Sequence, residues 1–299
     1  MFEYIKEFLK INDVKFLEDV SLRSFSSVKI GGKASILAYP EDEAAFSSLV
    51  SFLKGTGVKF IVLGRMSNVL ARDDGYNGVI IKTDKMSKLS VSDSVITASA
   101  GVSLPLLVHR AVSLGISGFE ELSGIPGSVG GGVAGNAGAF GREFSDIITE
   151  VFVCDLDCGD CYSLKPSEIN FGYRTSLFKN TICLVLSAKF KGFCSDRILV
   201  KLRENDFLKK RKETQPQGQP SLGSVFKRTE DGISAGYLID RCGLKGYRVG
   251  DAQISTVHAG FIVNLGEATA SDYLKCAGDA AKCVKTRFGI NLNKEIVLL

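Results

Sequence analysis

The sequence predicts an α+β protein with two domains. Its 299 residues correspond to about two domains at roughly 150 residues each. Segments typical of strands are interleaved with amphipathic helical segments. Near Asp196 the composition changes to a charged helical segment, RILVKLRENDFLKKRK, followed by the Gln-, Pro- and Gly-rich stretch QPQGQPSLGS (215–224). We therefore place the domain boundary near residue 195, which gives a larger domain, 1–195, and a smaller one, 196–299.

The elements of the first domain follow from apolar periodicity and helix caps. The N-terminal segment MFEYIKEFLKIND interleaves charged and apolar residues, which indicates an amphipathic helix. Residues 28–85 predict strand, helix and strand units. Ser103 and Pro105 predict the start of a helix that Gly115 ends. Apolar runs predict strands at 58–64, 78–82, 95–102 and 182–190, and VFVCDL with CYSL predicts a β-hairpin around residue 158.

One helix and one strand close the second domain. Thr269 and Asp272 form a capping-box pattern, and Gly289 is a typical helix end. The segment INLNKEIVLL that follows predicts a last strand. The apolar stripe of the helix comprises Leu274, Ala277, Ala281, Val284 and Phe288.

Composition and charge exclude several classes of function. The formal net charge is only +4, and without a basic block it does not predict nucleic-acid binding. Two histidines are too few for a histidine-rich metal site, and we predict no metal. The N-terminus has no signal-peptide pattern, and the uncharged run from Leu122 to Gly141 holds too many glycines for a membrane helix. We expect a cytoplasmic protein without membrane insertion.

Three of the eight cysteines are closely spaced. Cys154, Cys158 and Cys161 have the C-x3-C-x2-C spacing of cysteines that hold an iron–sulfur cluster in radical enzymes. The predicted β-hairpin places them on paired strands and a turn, without the loop that those enzymes use. Free thiols in a reducing cytosol are the favoured interpretation, and the cluster is the alternative.

Glycines are concentrated in one segment. Of the 32 glycines, ten lie between Gly115 and Gly141. A G-x-G-x-x-G pattern occurs there, but no strand precedes it and further glycines follow, so it does not predict a Rossmann turn. Backbone N–H groups without a nearby Cβ can approach a phosphate closely, which predicts an anion-binding loop. A tightly packed crossing of two chain segments is the alternative. The candidate binding residues are Gly127, Ser128, Gly130, Gly131 and Asn136.

A second candidate loop, LGRMSNVL (63–70), follows the predicted strand 58–64. Gly64, Arg65, Ser67 and Asn68 offer one cation, two polar side chains and backbone donors. Taken alone, the segment is as typical of a simple strand-to-loop turn as of a phosphate site. Two such loops in one domain support each other, because a dinucleotide has two phosphates to bind.

Eight motifs together resemble, in order, those of the UDP-N-acetylenolpyruvoylglucosamine reductase (MurB) family, flavoenzymes of peptidoglycan synthesis. Each motif is weak alone, but the combination is specific and covers nearly the whole chain from about residue 24. The short connection between FGYRTS and QPQGQP resembles the family's second class, which lacks an extra tyrosine-bearing loop. The motifs are SFSSVKIGGKA (24–34), LGRMSN (63–68), GFEELSGIPGSVGGGVAGNAGAFGRE (118–143), FGYRTSLF (171–178), QPQGQPSLGSVFK (215–227), GLKGYRVGDAQIS (243–255), HAGFIVN (258–264) and GINLNKEI (289–296).

The resemblance implies a fold, an activity and cofactors. The fold is an FAD-binding domain of the vanillyl-alcohol-oxidase (PCMH) type in two α+β subdomains, about 1–85 and 86–195. A smaller α/β substrate-binding domain follows, and its C-terminal strand returns to the active site. The implied activity reduces UDP-N-acetylglucosamine enolpyruvate to UDP-N-acetylmuramate. NADPH reduces non-covalently bound FAD, reduced flavin gives hydride to C3 of the substrate, and C2 takes a proton. The partner is thus a small molecule, and we expect a monomer.

Three residues match the family's catalytic positions. Arg174, in FGYRTS, supplies a planar guanidinium for the substrate carboxylate and favours its extra negative charge. Ser224, in LGSVFK, matches the proton donor to C2. Glu295, in LNKEI, matches the carboxyl group that, when protonated, donates to the substrate carboxylate. Without the resemblance, each of the three is more typical of a surface or turn position.

Further residues are candidates for substrate binding. Tyr173 lies beside the arginine, Lys227 suits a diphosphate, and His258 matches a polar position near substrate or flavin. A surface lysine and a core histidine are the structural alternatives for the last two. His109, on the predicted helix after Pro105, is interpreted as structural.

Some residues depart from the family pattern. Met66 stands where the phosphate loop usually has glycine, and its side chain limits the approach of the backbone to FAD. Gly250-Asp251 replaces a usual Gly-Gly, and Phe140 replaces a frequent tyrosine. Two other functions stay open. One is a flavin oxidase of a small alcohol or sugar with covalently tethered FAD, and the other is a non-catalytic nucleotide-binding protein.

Overall fold

The computed structural model describes residues 2–156, 159–179 and 183–299. The chain forms two compact units, each built from several stretches. The predicted boundary near residue 195 divides the chain only once, whereas two short N-terminal stretches belong to the second unit. The reason is packing, since Val28, Ile30 and Leu70 from these stretches lie in the core of that unit. The first unit comprises Met1–Glu18, Ile36–Arg65 and Gly78–Lys210, and the second comprises Asp19–Ser35, Met66–Asn77 and Arg211–Leu299. The division of function between 1–195 and 196–299 stays a prediction.

Helices and strands alternate along much of the described chain. The helices are α1 (Phe2–Ile11), α2 (Glu43–Thr56), α3 (Leu104–Ser113), α4 (Val129–Ala134), α5 (Arg197–Thr214), α6 (Ala235–Arg241) and α7 (Ala270–Phe288). The strands are β1 (Lys15–Ser21), β2 (Lys33–Tyr39), β3 (Phe60–Leu63), β4 (Val69–Leu70), β5 (Tyr76–Lys82), β6 (Leu89–Ser92), β7 (Val95–Ser99), β8 (Ile116–Ser117), β9 (Gly138–Ala139), β10 (Arg142–Glu143), β11 (Ile148–Asp155), β12 (Cys161–Leu164), β13 (Cys183–Lys191), β14 (Phe193–Cys194), β15 (Ser221–Ser224), β16 (Arg248–Val249), β17 (Ala252–Ile254), β18 (Phe261–Asn264) and β19 (Val297–Leu298).

A sheet of order β1-β2-β5-β3 packs against helices α1 and α2 and shares a hydrophobic core with them. Strands β3 and β5 are parallel, and Leu63 lies opposite Lys82 at their carboxyl ends. The N-terminal helix buries the stripe that the sequence predicts, with Ile5 and Leu9 fully inside. Asp42 caps α2 by accepting a hydrogen bond from the Ala45 N–H.

A five-stranded sheet of order β12-β11-β13-β7-β6 forms the other layer of the first unit. The predicted β-hairpin is present, and Cys154 lies opposite Cys161. Cys158 lies outside the described residues, so the cysteine-cluster hypothesis stays untested. The described cysteines are free thiols. The glycine-rich segment forms the six-residue helix α4, a short regular element that the sequence did not predict.

The second unit packs α6 and α7 on an antiparallel sheet of order β15-β18-β17-β16. The capping box of Thr269 and Asp272 and the left-handed Gly289 are present as predicted. The predicted apolar stripe is wrong at its end, because Phe288 is 38% exposed while Tyr273 is fully buried. The predicted last strand is also too long. In the segment after Gly289 only β19 forms a strand, parallel to β4, and Lys294 forms an isolated bridge with Phe226.

A buried carboxylate ties the GFEEL segment to α5 in the first unit. Glu120 is 2% exposed and accepts hydrogen bonds from the Ser117 hydroxyl (2.8 Å) and the N–H groups of Gly118 (2.6 Å) and Phe119 (2.9 Å). Arg203 adds an ion pair at 2.9 Å. Burial alone raises the pKa of Glu120, but these donors outweigh it, and the pKa lies below its ordinary value of 4.5.

We predict that Glu120→Gln destabilises the protein by about 3 kcal/mol at pH 7, because an amide NH2 then faces N–H donors and Arg203 loses its counter-charge. A lowered folded-state pKa gives stability that is present above pH 4.5 and lost as the pH falls through the folded value. Urea unfolding should therefore show a smaller difference in the free energy of unfolding between variant and wild type at pH 4 than at pH 7. The exposed Glu7→Gln is the control, and an equal difference at both pH values would contradict the assignment.

In the described part of the chain, no helix is long and apolar enough to cross a membrane. Nor do three His, Cys, Asp or Glu side chains gather there as a metal site.

Candidate active site

The two predicted cofactor loops meet in the first unit. Gly64 follows β3 directly, and a Cβ added to it would lie 2.1 Å from the Ser128 Oγ. Ser128 is 2% exposed, and among the described residues its hydroxyl has no hydrogen-bond partner. An unpaired buried hydroxyl is costly, so this contact is a suitable place for a polar ligand atom. A phosphate oxygen, which accepts hydrogen bonds, is a suitable partner for this hydroxyl.

Lys82 lies beside Gly64 and was not identified as a site residue from the sequence. Its side chain is 3% exposed, donates a hydrogen bond to the Gly64 carbonyl and pairs with Asp84 at 3.0 Å. Burial lowers the pKa of Lys82, although Asp84 opposes this. The signal in the sequence was a lysine ending the apolar strand GVIIK, since carboxyl ends of parallel strands share one edge.

The glycine-rich segment forms the tightly packed crossing that was one of the two alternatives, and the anion-binding loop stays a prediction. Its backbone is hydrogen-bonded to the chain around the start of α3. The Gly127 carbonyl accepts from the Leu104 N–H (3.1 Å), and the Gly130 N–H donates to the Ala100 carbonyl (2.9 Å). A Cβ on Gly130 would approach the Ala100 Cβ to 3.0 Å. Gly130 therefore serves the packed crossing. Gly131 is exposed, and a Cβ there would lie 3.5 Å from the Ser128 Oγ, which is ordinary van der Waals contact, so a role of Gly131 in ligand binding stays a prediction.

Asn136 is buried and its side chain is used within the protein. Its amide donates to Glu143 Oε2 (2.8 Å) and to the Gly172 carbonyl (3.1 Å), while its oxygen accepts from Ser145 N–H (3.0 Å). These bonds join the glycine-rich segment to the FGYRTS segment. Any contact of Asn136 with FAD stays a prediction, whereas its support of the residues around Arg174 is direct.

Arg174 is held in a defined position in the first unit. Its Nη2 donates to the Gly138 carbonyl at 2.6 Å, and its Nη1 lies 3.4 Å from both the Asn136 carbonyl and Glu143 Oε1. The guanidinium carbon lies 5.1 Å from the ring centre of Tyr173. The backbone of Arg174 is left-handed, with φ of 54°. Such a conformation is typical of functional positions that their surroundings hold in place.

Ser224 and Glu295 are brought together in the second unit, although 70 positions separate them in the sequence. The Glu295 N–H donates to the carbonyl of Val225, the residue after Ser224, at 2.8 Å. Phe226 and Lys294 form the next bridge along these two segments. Both site residues are partly exposed. A hydroxyl and a carboxyl group therefore lie on neighbouring backbone segments, as proton transfer to one substrate requires.

Asn68 belongs to the same group in the second unit. Its amide donates to the Glu295 carbonyl at 3.0 Å, and its own carbonyl accepts from Val297 N–H at 2.9 Å. Asn68 thus fixes the C-terminal segment that carries Glu295. Ser67 is partly buried nearby in the sequence, and Arg65, at the end of a stretch of the first unit, is exposed.

The histidines and Lys227 have distinct surroundings. His258 Nδ1 accepts from Gly260 N–H (3.0 Å), its ring packs on Phe261 at 4.9 Å, and burial lowers its pKa. These surroundings are those of a core histidine, and the role of His258 in ligand binding stays a prediction. Lys227 is partly buried, and its N–H bonds to the Asn293 carbonyl (2.9 Å). His109 is exposed on α3.

Comparisons with known proteins agree with these motifs. The family description "UDP-N-acetylenolpyruvoylglucosamine reductase, C-terminal domain" matches residues 215–299, and "FAD binding domain" matches 34–164. The UDP-N-acetylenolpyruvoylglucosamine reductase of Caldicellulosiruptor bescii is 40% identical over 291 residues, which are 97% of this chain and 92% of the relative. That of Streptococcus pneumoniae (strain JJA) is 38% identical over 297 residues, 99% of this chain and 97% of the relative. The chain belongs to the UDP-N-acetylenolpyruvoylglucosamine reductase family.

Structural similarity extends over the same length. The crystal structure of the reductase (MurB) from Thermus caldophilus is 34% identical, covers 95% of this chain and 98% of its own, and has a TM-score of 0.81. The predicted family and the predicted fold class, with its FAD-binding domain and C-terminal domain, are confirmed.

Met66 accommodates its departure from the family's glycine by adopting a left-handed backbone. Its φ is 52°, and its side chain is 2% exposed. Met66 thus adopts a conformation that glycine adopts easily, and the methionine side chain is buried in addition.

We predict that Met66→Gly lowers the free energy of unfolding by about 2 kcal/mol, even though glycine is usual in the family. Losing a buried methionine costs about 2–5 kcal/mol, and relief of the left-handed conformation returns about 1–2 kcal/mol. Met66→Ala keeps the strain and should be less stable than Met66→Gly by about 1 kcal/mol. Thermal unfolding of both variants measures this order, and an alanine variant at least as stable as the glycine variant would refute it.

Proposed function

We propose that this protein catalyses the NADPH-dependent reduction of UDP-N-acetylglucosamine enolpyruvate to UDP-N-acetylmuramate, a step in peptidoglycan precursor synthesis, with non-covalently bound FAD. Family membership over nearly the whole chain supports this function. The observation that carries it is the backbone pairing of the segments that bear Ser224 and Glu295. That pairing places the two groups proposed for proton transfer on adjacent segments, beside Asn68 of the LGRMSN motif.

The residues of the first unit fit the diphosphate of FAD. The buried Ser128 hydroxyl is a donor without a protein partner among the described residues, and the missing Cβ of Gly64 leaves room for this hydroxyl. We assign FAD binding to the two loops, with direct roles for Gly64, Ser128 and Gly131 and flanking roles for Arg65, Ser67 and Gly127. When bound, FAD would supply the two-electron chemistry that connects NADPH oxidation to reduction of the enolpyruvyl group at C3.

The chain's own residues then manage charge and protons at the substrate. Arg174 binds the carboxylate and stabilises the negative charge that develops beside it, because its guanidinium is planar and always charged. The carbonyls of Gly138 and Asn136 hold that guanidinium in place before substrate arrives. Ser224 gives its proton to C2, and Glu295, protonated, donates to the carboxylate. Tyr173, Lys227 and His258 are proposed as substrate contacts.

The absorbance of the purified protein tests the function directly. We expect the purified protein to show flavin absorbance bands. In the absence of oxygen, NADPH should bleach these bands, and only the enolpyruvyl substrate should restore them. Acid precipitation should release the yellow colour into the supernatant, since the FAD is not covalently bound. Bleaching of the oxidised flavin by a small alcohol or sugar without NADPH and without oxygen, or colour retained in the pellet, would refute the proposal. Monomeric state and cytoplasmic location belong to the same proposal, and sedimentation velocity checks the first.

A further inference from the structure

We propose that Lys82 is a positioning residue for the FAD diphosphate, acting through the Gly64 peptide. Its ammonium holds the Gly64 carbonyl so that the Arg65 N–H points in the opposite direction, toward the phosphate. The inference rests on the proposed function, because it assumes that this loop binds FAD. Lys82 itself does not contact the cofactor.

Strand register brings the two residues together. Strands β3 and β5 are parallel, and Lys82 lies opposite Leu63, the residue before Gly64. The lysine side chain is 3% exposed and donates to the Gly64 carbonyl, while Asp84 supplies the counter-charge at 3.0 Å. Because the contact is between a buried strand end and the first residue of the loop, it fixes the loop where it leaves the sheet.

Peptide geometry converts this contact into an orientation. In a trans peptide the carbonyl of one residue and the N–H of the next point in opposite directions. None of the described peptide bonds is cis. With its carbonyl fixed toward Lys82, the Gly64–Arg65 peptide therefore presents the Arg65 N–H on the other side. An N–H fixed before the ligand arrives loses less entropy on binding a phosphate oxygen.

Fold stability gives little reason for a lysine at this position. The preceding residues Val79, Ile80 and Ile81 are fully buried and apolar, and an apolar side chain would continue the strand. Desolvation opposes the ammonium, and ion pairs in such places often add no net stability. The backbone carbonyl to which the Lys82 ammonium donates belongs to the proposed cofactor loop, which points to a role there.

Binding measurements with two ligands distinguish a positioning role of Lys82 from a role in folding. Apoprotein of the full chain is titrated with FAD and with riboflavin, which lacks phosphate, following flavin fluorescence for wild type and Lys82→Met. We expect the Kd for FAD to rise at least tenfold and the Kd for riboflavin to change less than twofold. The matched control is Lys85→Met, since Lys85 is exposed and lies three positions further along the chain. This variant should leave both Kd values unchanged.

Each alternative outcome has a distinct meaning. Unchanged FAD affinity in Lys82→Met, or equal losses for both ligands, would overturn the role of Lys82 while leaving the function intact. Failure of wild type to bind FAD would overturn the proposed function itself. If Lys82→Met does not fold, Lys82→Gln is tested, because it keeps an N–H donor without the charge. Its FAD affinity should stay within about threefold of wild type, and a tenfold loss would contradict positioning through the carbonyl.

Discussion

Ser224→Ala is expected to lower turnover about 10²–10⁴-fold while FAD remains bound and reducible by NADPH, the range that a lost general acid typically costs. Hydride arriving at C3 leaves negative charge at C2, which must take a proton from a positioned group. The alanine removes that proton and little else, because the bond from Glu295 N–H to the Val225 carbonyl uses only backbone atoms. The segment that carries Glu295 therefore stays in place.

Separate half-reactions make this result decisive. In stopped-flow absorbance, NADPH should bleach the flavin at the wild-type rate in Ser224→Ala, and the enolpyruvyl substrate should reoxidise it slowly. Ser221→Ala, at the other end of the same strand β15, is the matched control and should retain both rates. A variant at Ser224 that reoxidises as fast as wild type would show that another group supplies the proton. Slow bleaching by NADPH would instead indicate damage to the flavin site.

Local structure could be predicted well where short-range chemistry determines it. The capping box at Thr269, the stop at Gly289 and the amphipathic α1 each depend on residues within one or two helical turns. The hairpin at Cys154 and Cys161 likewise follows from alternation and a turn. The site residues Arg174, Ser224 and Glu295 came from motif resemblance, which uses the order of whole segments. Periodicity alone would not have selected them.

Long-range pairing is where prediction from the sequence failed. Lys82 belongs to the proposed site only because β3 and β5 pair in parallel with Leu63 opposite it. The C-terminal segment has strand-like composition, yet it pairs only briefly because Asn68 and Val225 bind its backbone in separate places. The second unit includes Asp19–Ser35 and Met66–Asn77 because their apolar residues pack in its core. Apart from the lysine that ends the apolar strand GVIIK, none of these contacts leaves a local signature.

The contact between Gly64 and Ser128 gives the second large expected effect. We predict that Gly64→Ala lowers FAD affinity at least 100-fold and the free energy of unfolding by about 1–3 kcal/mol, typical of overpacking. The new Cβ would lie 2.1 Å from the Ser128 Oγ and 3.3 Å from its Cβ, and Ser128 is buried. The Ser128 side chain must then rotate within a buried site, or the two loops must separate. Fluorescence titration with FAD and urea unfolding measure the two effects, and Gly55→Ala is the control, since a Cβ there meets nothing within 4 Å.

A second substitution separates the steric cause from the loss of a ligand contact. Ser128→Gly removes both atoms that the alanine would strike, so the double variant Gly64→Ala, Ser128→Gly should regain most of the lost stability. It should regain only part of the FAD affinity, because the hydroxyl proposed to donate to the diphosphate is also gone. Full recovery of both would show that the Ser128 hydroxyl makes no contact with FAD. Recovery of neither would show that Gly64 is needed for a reason other than its distance from Ser128.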